Sequence, residues 1–125
     1  AVHALAYPLG GRFHIPHGLS NALVLPAVMR FNSCAVAEHY AALAASAIPG
    51  FTGGDTVSAS AELFICALEQ LMSALNMPTR LREMNISEGD LPVLAEDALL
   101  QQRLLVNNPK PVGHEDASAM YLAAY

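Results

Sequence analysis

The apolar residues of this chain recur at helical spacing, in segments separated by prolines and glycines. The clearest segment begins at Asp55 or Thr56, either of which suits a helix N-cap, and ends at about Leu75. Its apolar side chains predict one buried stripe with three- and four-residue spacing, formed by Val57, Ala61, Phe64, Leu68, Leu71 and Leu75. No run alternates apolar and polar residues with a period of two, so we expect no β-sheet.

Five further helices are predicted from the same apolar runs and breaks. They cover residues 1–7, 16–31, 34–48, 91–105 (behind a capping box at residues 87–90) and 114–124. Pro8, Gly10 and Gly11 are expected to end the first helix. Pro26 removes one backbone hydrogen bond inside the second and predicts a kink there. Residues 32–33 are expected to separate the second helix from the third.

Composition supports a purely helical fold. The 125 residues are 54% hydrophobic and 14% charged, which excludes disorder because enough apolar surface is present to offset the entropy of ordering. The strong helix formers Ala and Leu number 22 and 18, against 15 for Val, Ile and Thr together. We therefore predict an all-α fold, with at most one domain.

Charge and cysteine usage indicate a cytoplasmic protein. The net charge of −5 argues against nucleic acid or an anionic membrane as a partner. The longest nearly apolar run, residues 22–29, is too short to span a bilayer, and no signal peptide is visible. Cys34 and Cys66 lie in apolar helical patterns, so we expect reduced, buried thiols rather than a disulfide.

Three of the five histidines lie within the first 17 residues. Neutral imidazole is a common transition-metal ligand, and His14 and His17 can face one point if their segment is helical or tightly turned. His3 lies on a separate element that the intervening turn can fold back against this pair. A metal needs three or four ligands, so either the site takes ligands from elsewhere or the histidines are structural. His39 and His114 are expected to face solvent or cap a helix.

Two stretches near the N-terminus form a distinctive motif. They read HALAYPLGG at residues 3–11 and HIPHGLSNA at residues 14–22, and LP at 25–26 and VMRFN at 28–32 follow. Together they resemble the signature of the iron-dependent (group III) alcohol dehydrogenases. Weaker similarity to the same family continues through PTRL at 78–81, Ile86, LA at 94–95, AL at 98–99 and NPK at 108–110.

The resemblance implies the C-terminal domain of a two-domain enzyme with the iron-dependent alcohol dehydrogenase / dehydroquinate synthase-like fold. Residues 1–125 would form part of this helical metal-binding domain, and an N-terminal α/β domain that binds NAD or NADP would lie outside the chain. The family's divalent metal, usually Fe²⁺ and sometimes Zn²⁺, is held by an Asp and three His. Two of those His map onto His3 and His17, which are 14 residues apart. The other two ligands belong to an earlier helix.

The resemblance also implies a catalytic candidate, Tyr7. Many relatives have a second His one turn after the first ligand, and Tyr7 holds that position here, on the same helix face as His3. Its phenol would hydrogen-bond the substrate or relay a proton. His14 falls where relatives vary. Ala27, where many relatives have His, is not expected to bind the metal.

The implied activity is metal-dependent, NAD(P)-linked interconversion of an alcohol with an aldehyde or ketone, by an enzyme that is homo-oligomeric when intact. The 125-residue chain alone is expected to be inactive. Two alternatives stay open. Maleylacetate reductases and glycerol dehydrogenases are relatives with other substrates, and a non-catalytic helical domain that packs against a partner would leave the histidines a structural role.

Overall fold

Every regular element of the chain is helical. The computed structural model describes residues 1–125 and contains no strand. The α-helices are α1 (Val2–Phe13), α2 (His17–Ala47), α3 (Val57–Ala74), α4 (Leu91–Leu99), α5 (Gln102–Leu105) and α6 (His114–Ala124). Two short 3₁₀ helices, Leu81–Met84 and Glu88–Asp90, lie between α3 and α4. The prediction of an all-α fold is confirmed.

One hydrophobic core joins α1, the first half of α2, α4 and α6. Leu5 and Leu9 of α1, Leu23 of α2 and Leu94 of α4 are buried in it, each contributing about 1.5–3 kcal/mol. Tyr121 of α6 closes the core, and its hydroxyl donates a hydrogen bond of 2.7 Å to the backbone oxygen of Leu5. Burial raises the pKa of the Tyr121 phenol. The inner face of α1 is thus fixed by the last helix of the chain.

The first helix is longer than predicted, because tertiary packing outweighs its local helix breakers. α1 continues through Pro8, Gly10 and Gly11 to Phe13. Pro8 removes one backbone hydrogen bond, but it is itself buried among the core-facing residues of α1. The helix ends at His14, which adopts the left-handed conformation (φ 56°) and donates its backbone N–H to the oxygen of Gly10. The prediction that the helix stops at Pro8 is wrong.

Helix α2 covers both of the helices predicted on either side of Asn32 and Ser33, and its two halves meet at a kink. Its one residue with non-helical dihedrals is Val36 (φ −136°, ψ 23°), while Pro26, where a kink is predicted, keeps helical dihedrals. Asn32 stays helical because its side chain exchanges two amide hydrogen bonds, of 2.9 and 2.8 Å, with Asn108. The break in the helix therefore lies at Val36 rather than at residues 32–33.

Helix α3 begins as predicted, but only part of the predicted stripe is buried. Thr56 caps it by accepting the backbone N–H of Ala59 at 3.1 Å. Of the predicted stripe, Val57, Leu71 and Leu75 are exposed by 49%, 55% and 63%. The buried residues are Ser60, Ala61, Ile65 and Met72. Because α3 packs against α2, only the face toward α2 is covered, and the apolar pattern is wider than that face.

The predicted helix over residues 91–105 is divided into α4 and α5. Gln101 leaves helical dihedrals (φ −85°, ψ 48°) and precedes α5. The predicted capping box is present, because the Asp90 carboxylate accepts hydrogen bonds from the backbone N–H and hydroxyl of Ser87, at 2.8 and 2.6 Å. The bounds predicted for the last helix agree with α6.

Two expectations drawn from composition, one on the cysteines and one on the length of apolar segments, differ from what the structure shows. Both thiols are free, but Cys34 is exposed and Cys66 is partly exposed, so the prediction that they are buried is wrong. Helices α2 and α3 are long and apolar enough to cross a membrane by length and composition alone, which is weak evidence. In α2, the core residues Leu23, Val24 and Val28 account for this apolar composition.

Candidate metal centre

A short turn between α1 and α2 brings His3, Tyr7 and His17 together. His3 and Tyr7 are four residues apart on α1 and therefore share one face. His17 is the first residue of α2, directly after Pro16, whose ring presets φ near its observed −54°. Ring centroids lie 5.3 Å apart for His3 and His17, and 5.9 Å apart for Tyr7 and His17. We call these three side chains the ring cluster.

The ring cluster is exposed but rests on a buried base. All three of its side chains are open to solvent, whereas Ala4, Leu5 and Ala6 on the inner face of α1 are buried. Close packing under α1 leaves its backbone little freedom to move. The three rings are thus presented on a rigid helix to an open surface.

Asn21, one turn after His17, holds the imidazole of His17 on the surface of α2. Its side-chain Nδ2 lies 2.8 Å from the backbone oxygen of His17 and 3.1 Å from its ring Nε2. Because an amide nitrogen only donates, ring Nε2 is the acceptor in this contact. The other end of the amide, Oδ1, is buried without a hydrogen-bond partner. Such a buried acceptor costs about 1–3 kcal/mol.

The remaining histidines lie apart from the ring cluster. His14 ends α1 and is exposed, and it makes no ring contact with His3 or His17. His39 is exposed on the second half of α2, and His114 is exposed at the first position of α6. The structure therefore pairs His17 with His3, not with its sequence neighbour His14.

The donor set of His3 and His17 fits a transition-metal site that is half complete. Imidazole nitrogens bind Zn²⁺ and similar ions at about 2 Å, and a centroid separation of 5.3 Å is compatible with two such bonds to one ion. The chain contains no group of three or more His, Cys, Asp or Glu side chains placed so that they could hold a metal ion. A four-ligand site at this position therefore needs two donors from outside these 125 residues.

A shallow groove of about 340 Å³ begins beside Tyr7. Its lining consists of Tyr7, Pro8, Gly11, Arg12, Asp97, Leu100 and Gln101. Arg12 and Asp97 form an ion pair across it, and this hydrogen bond lowers the pKa of the Asp97 carboxyl. The groove is open, and most of its exposed surface is apolar, with the ion pair of Arg12 and Asp97 as its charged part.

An ion-pair network between α2 and α3 is absent from the sequence predictions. Arg30 contacts Glu62 at 2.6 Å and Glu69 at 2.7 Å, and these hydrogen bonds raise the pKa of the guanidinium and lower that of Glu69. The partners are 32 and 39 residues from Arg30, so no local spacing signals the network. A cleft of about 340 Å³ lies beside it, between α2, α3 and α6.

Solved structures with this fold are oxidoreductases. A crystal structure of a 1,3-propanediol oxidoreductase superposes with a TM-score of 0.90 and 34% sequence identity, over 99% of this chain and 32% of its own. An alcohol dehydrogenase from Oenococcus oeni matches with the same TM-score, identity and coverage. The fold is therefore that of a helical domain found in alcohol-oxidising enzymes.

Sequence comparison narrows this class to one family. Residues 1–125 match the model described as Fe-containing alcohol dehydrogenase family, C-terminal. The chain is 36% identical over 124 residues to a 1,3-propanediol dehydrogenase of Klebsiella pneumoniae, and 39% identical over 132 residues to long-chain-alcohol dehydrogenase 1 of Geobacillus thermodenitrificans. These alignments cover 99% of this chain but only 32% and 31% of the relatives. The chain belongs to the Fe-containing alcohol dehydrogenase family and spans about a third of the length of these relatives.

Proposed function

We propose that this chain is the C-terminal, metal-binding part of an NAD(P)-linked alcohol dehydrogenase. The observation that carries the proposal is the pair of exposed imidazoles, His3 and His17, at 5.3 Å in a chain of this family. The relatives are, by name, dehydrogenases of 1,3-propanediol and of long-chain alcohols and a reductase of lactaldehyde. The substrate class is accordingly a small or linear alcohol and the matching carbonyl compound.

His3 and His17 would hold the metal, each through one neutral ring nitrogen. A divalent ion bound there, Fe²⁺ or Zn²⁺, would supply Lewis-acid chemistry at the substrate oxygen, and a nicotinamide cofactor would supply hydride transfer. The buried inner face of α1 supports the backbone beneath His3, and the hydrogen bond from Asn21 fixes the imidazole of His17 on α2. Orientation of this kind limits the entropy lost when ligands gather around an ion.

Tyr7 is the residue we propose for direct contact with the substrate. Its ring packs 5.9 Å from that of His17, and its exposed side chain borders the groove described above. The phenol can donate a hydrogen bond to a carbonyl oxygen or accept one from an alcohol, and can pass a proton to solvent. Tyr7 thus orients the substrate oxygen toward the two histidines.

We propose that the rest of the enzyme lies in other parts of a longer polypeptide, because the chain spans only about a third of the length of these relatives. Two metal ligands and the NAD(P) domain would precede residue 1, so residues 1–125 supply half the metal site and no nucleotide fold. We propose a homo-oligomeric, cytoplasmic enzyme for this longer protein.

Single replacements of the two histidines test the ligand assignment in the full-length protein. His3→Ala and His17→Ala are each expected to abolish tight metal binding and to lower alcohol oxidation by at least about 100-fold, since even the outer partners of metal ligands contribute 10–100-fold. Metal content is measured after anaerobic purification, alongside turnover with NAD and NADP. His39→Ala, an exposed histidine on α2, is the matched control and should retain both. Normal metal stoichiometry in His17→Ala would overturn the assignment.

A further inference from the structure

The kink in α2 lies where side chains bond the backbone oxygens of the helix. Lys110 donates its ammonium group to the backbone oxygen of Phe31 at 3.4 Å, and its Nζ lies 4.0 Å from the centre of the Phe31 ring. The hydroxyl of Ser33 donates to the backbone oxygen of Met29 at 3.0 Å. Side chains that bond such oxygens compete with the N–H groups one turn later and bend helices. Val36, the residue with non-helical dihedrals, follows within one turn of Ser33.

The two halves of α2 on either side of the kink are held with different firmness. In the first half, Asn32 exchanges its two amide hydrogen bonds with Asn108, which lies in the turn before α6. All buried residues of α2 except Ala44 also lie in the first half. A helix segment with few buried contacts opens or moves at a lower cost than one packed in a core. The kink therefore divides a fixed segment from a weakly held one.

Helix α3 spans the kink and contacts α2 on both sides of it. On the side of the first half, Arg30 forms its ion pairs with Glu62 at 2.6 Å and Glu69 at 2.7 Å. On the side of the second half, the ring of Tyr40 lies against that of Phe64, with centroids 6.5 Å apart. Since α3 packs chiefly against α2, the ion pairs of Arg30 are its charged link to the fixed segment.

We propose that α2 bends at Val36 as a hinge, and that the ion pairs of Arg30 are the latch that keeps this hinge closed. When the latch opens, α3 and the second half of α2 swing together away from α6. This movement widens the cleft of about 340 Å³ between α2, α3 and α6, which Arg30 and Glu69 help to line. The latch side chains are 39–48% exposed, so water and salt can replace their bonds. The proposal does not depend on the roles given to His3 and His17.

Distances between two spin labels in the full-length protein test the hinge. The labels, carried by non-natural residues, replace Ser46 near the end of α2 and Ala119 on α6, both of which are exposed. Residues 37–47 extend about 16 Å beyond the kink, so a change of about 20° in its angle moves the end of α2 by about 5 Å. Arg30→Met, which removes both ion pairs, is expected to lengthen the distance between the labels by that amount. The helix content, measured by circular dichroism, should stay unchanged.

Two controls separate the latch from general effects of charge or stability. Arg103→Met removes a positive charge from an exposed position on α5, where no ion pair forms, and should leave the distance between the labels as in the wild type. A second label pair, at Glu96 on α4 and Ala119 on α6, reports on the core alone. Its distance should be the same in every variant.

A double variant attacks the latch from α3. Glu62→Gln combined with Glu69→Gln removes both carboxylates and leaves Arg30 in place, so it serves as the test if Arg30→Met does not fold. The same lengthening between Ser46 and Ala119 is expected. An unchanged distance in a folded latch variant would overturn the hinge. A loss of helix content in the double variant would also overturn it, because α3 would then unfold rather than swing.

Discussion

The two ends of α2 lie in different surroundings. Its first half is packed among α1, α4 and α6, where aliphatic side chains are buried and Tyr121 reaches the backbone of Leu5. Helix α3 forms an outer pair with α2 that extends from Arg30, in the first half of α2, to Tyr40 beyond Val36, and leucines of α3 such as Leu71 stay exposed. Both halves have apolar residues at helical spacing. The difference shows that the number of neighbouring elements, rather than the periodicity of a helix, decides how much of its apolar face is buried.

A truncation in the core should have the largest effect on stability. Leu94 is fully buried between α4 and its neighbours, so Leu94→Ala removes apolar contacts and leaves a cavity. We expect the free energy of unfolding, measured by urea denaturation, to fall by about 2–5 kcal/mol. The same truncation at Leu71, in the outer pair, should change it by no more than about 0.5 kcal/mol. Equal losses at the two positions would contradict the contrast between core and outer pair.

Removal of a buried hydroxyl should have an intermediate effect. Tyr121→Phe keeps the ring in the core and deletes the hydrogen bond to the Leu5 backbone oxygen. We expect a loss of about 0.5–1.5 kcal/mol in the free energy of unfolding, because the hydroxyl exchanges this bond for one with water on unfolding. Amide hydrogen exchange in α1 should accelerate in the same variant. Unchanged protection of α1 would show that Tyr121 does not hold this helix in place.

The ion pairs between α2 and α3 should have the smallest effect on stability. Arg30 lowers the pKa of Glu69 below its ordinary value of 4.5, so the pair stabilises the fold above that pH and loses its contribution as pH falls through the lowered pKa. Glu69→Gln is expected to cost less than about 1 kcal/mol at pH 7, because the partners are partly exposed. The variant should also lose less stability than the wild type below about pH 4.5. Glu38→Gln, exposed on α2, is the charge-matched control, and an identical acid response in both variants would contradict the role of Glu69.

Helices were predictable where one local signal governed each end. Thr56 and Ser87 are caps whose side-chain chemistry acts within three residues, and both were found as predicted. The failures occurred where distant residues decided the outcome. Pro8 stays helical because its helix is packed in the core, and Asn32 stays helical because Asn108 satisfies its side chain. Such partners lie too far along the chain for a local pattern to reveal them.

The sequence predicted which residues form the candidate site better than it predicted how they are arranged. The motif resemblance singled out His3, Tyr7 and His17, and the structure brings their rings together, while their roles toward a metal or substrate stay predictions. Spacing alone grouped His14 with His17, but the left-handed turn at His14 ends α1 and leaves it apart. No feature of the sequence pointed to Asn21. Whether an Asn one turn after a His bonds the imidazole depends on the orientation of the ring.

The hydrogen bond from Tyr121 to Leu5 also has a consequence for the time at which the site forms. The two residues are 116 positions apart, so the support beneath His3 and Tyr7 is incomplete until the last helix has been made. At a ribosomal rate of about 5–20 residues per second, this delay is on the order of ten seconds. During that interval α1 leaves the ribosome without its partner helix, and its apolar face is open to chaperones. The support beneath the candidate metal centre is therefore expected to be complete only after α6 has been synthesised, although the two histidines lie on α1 and α2.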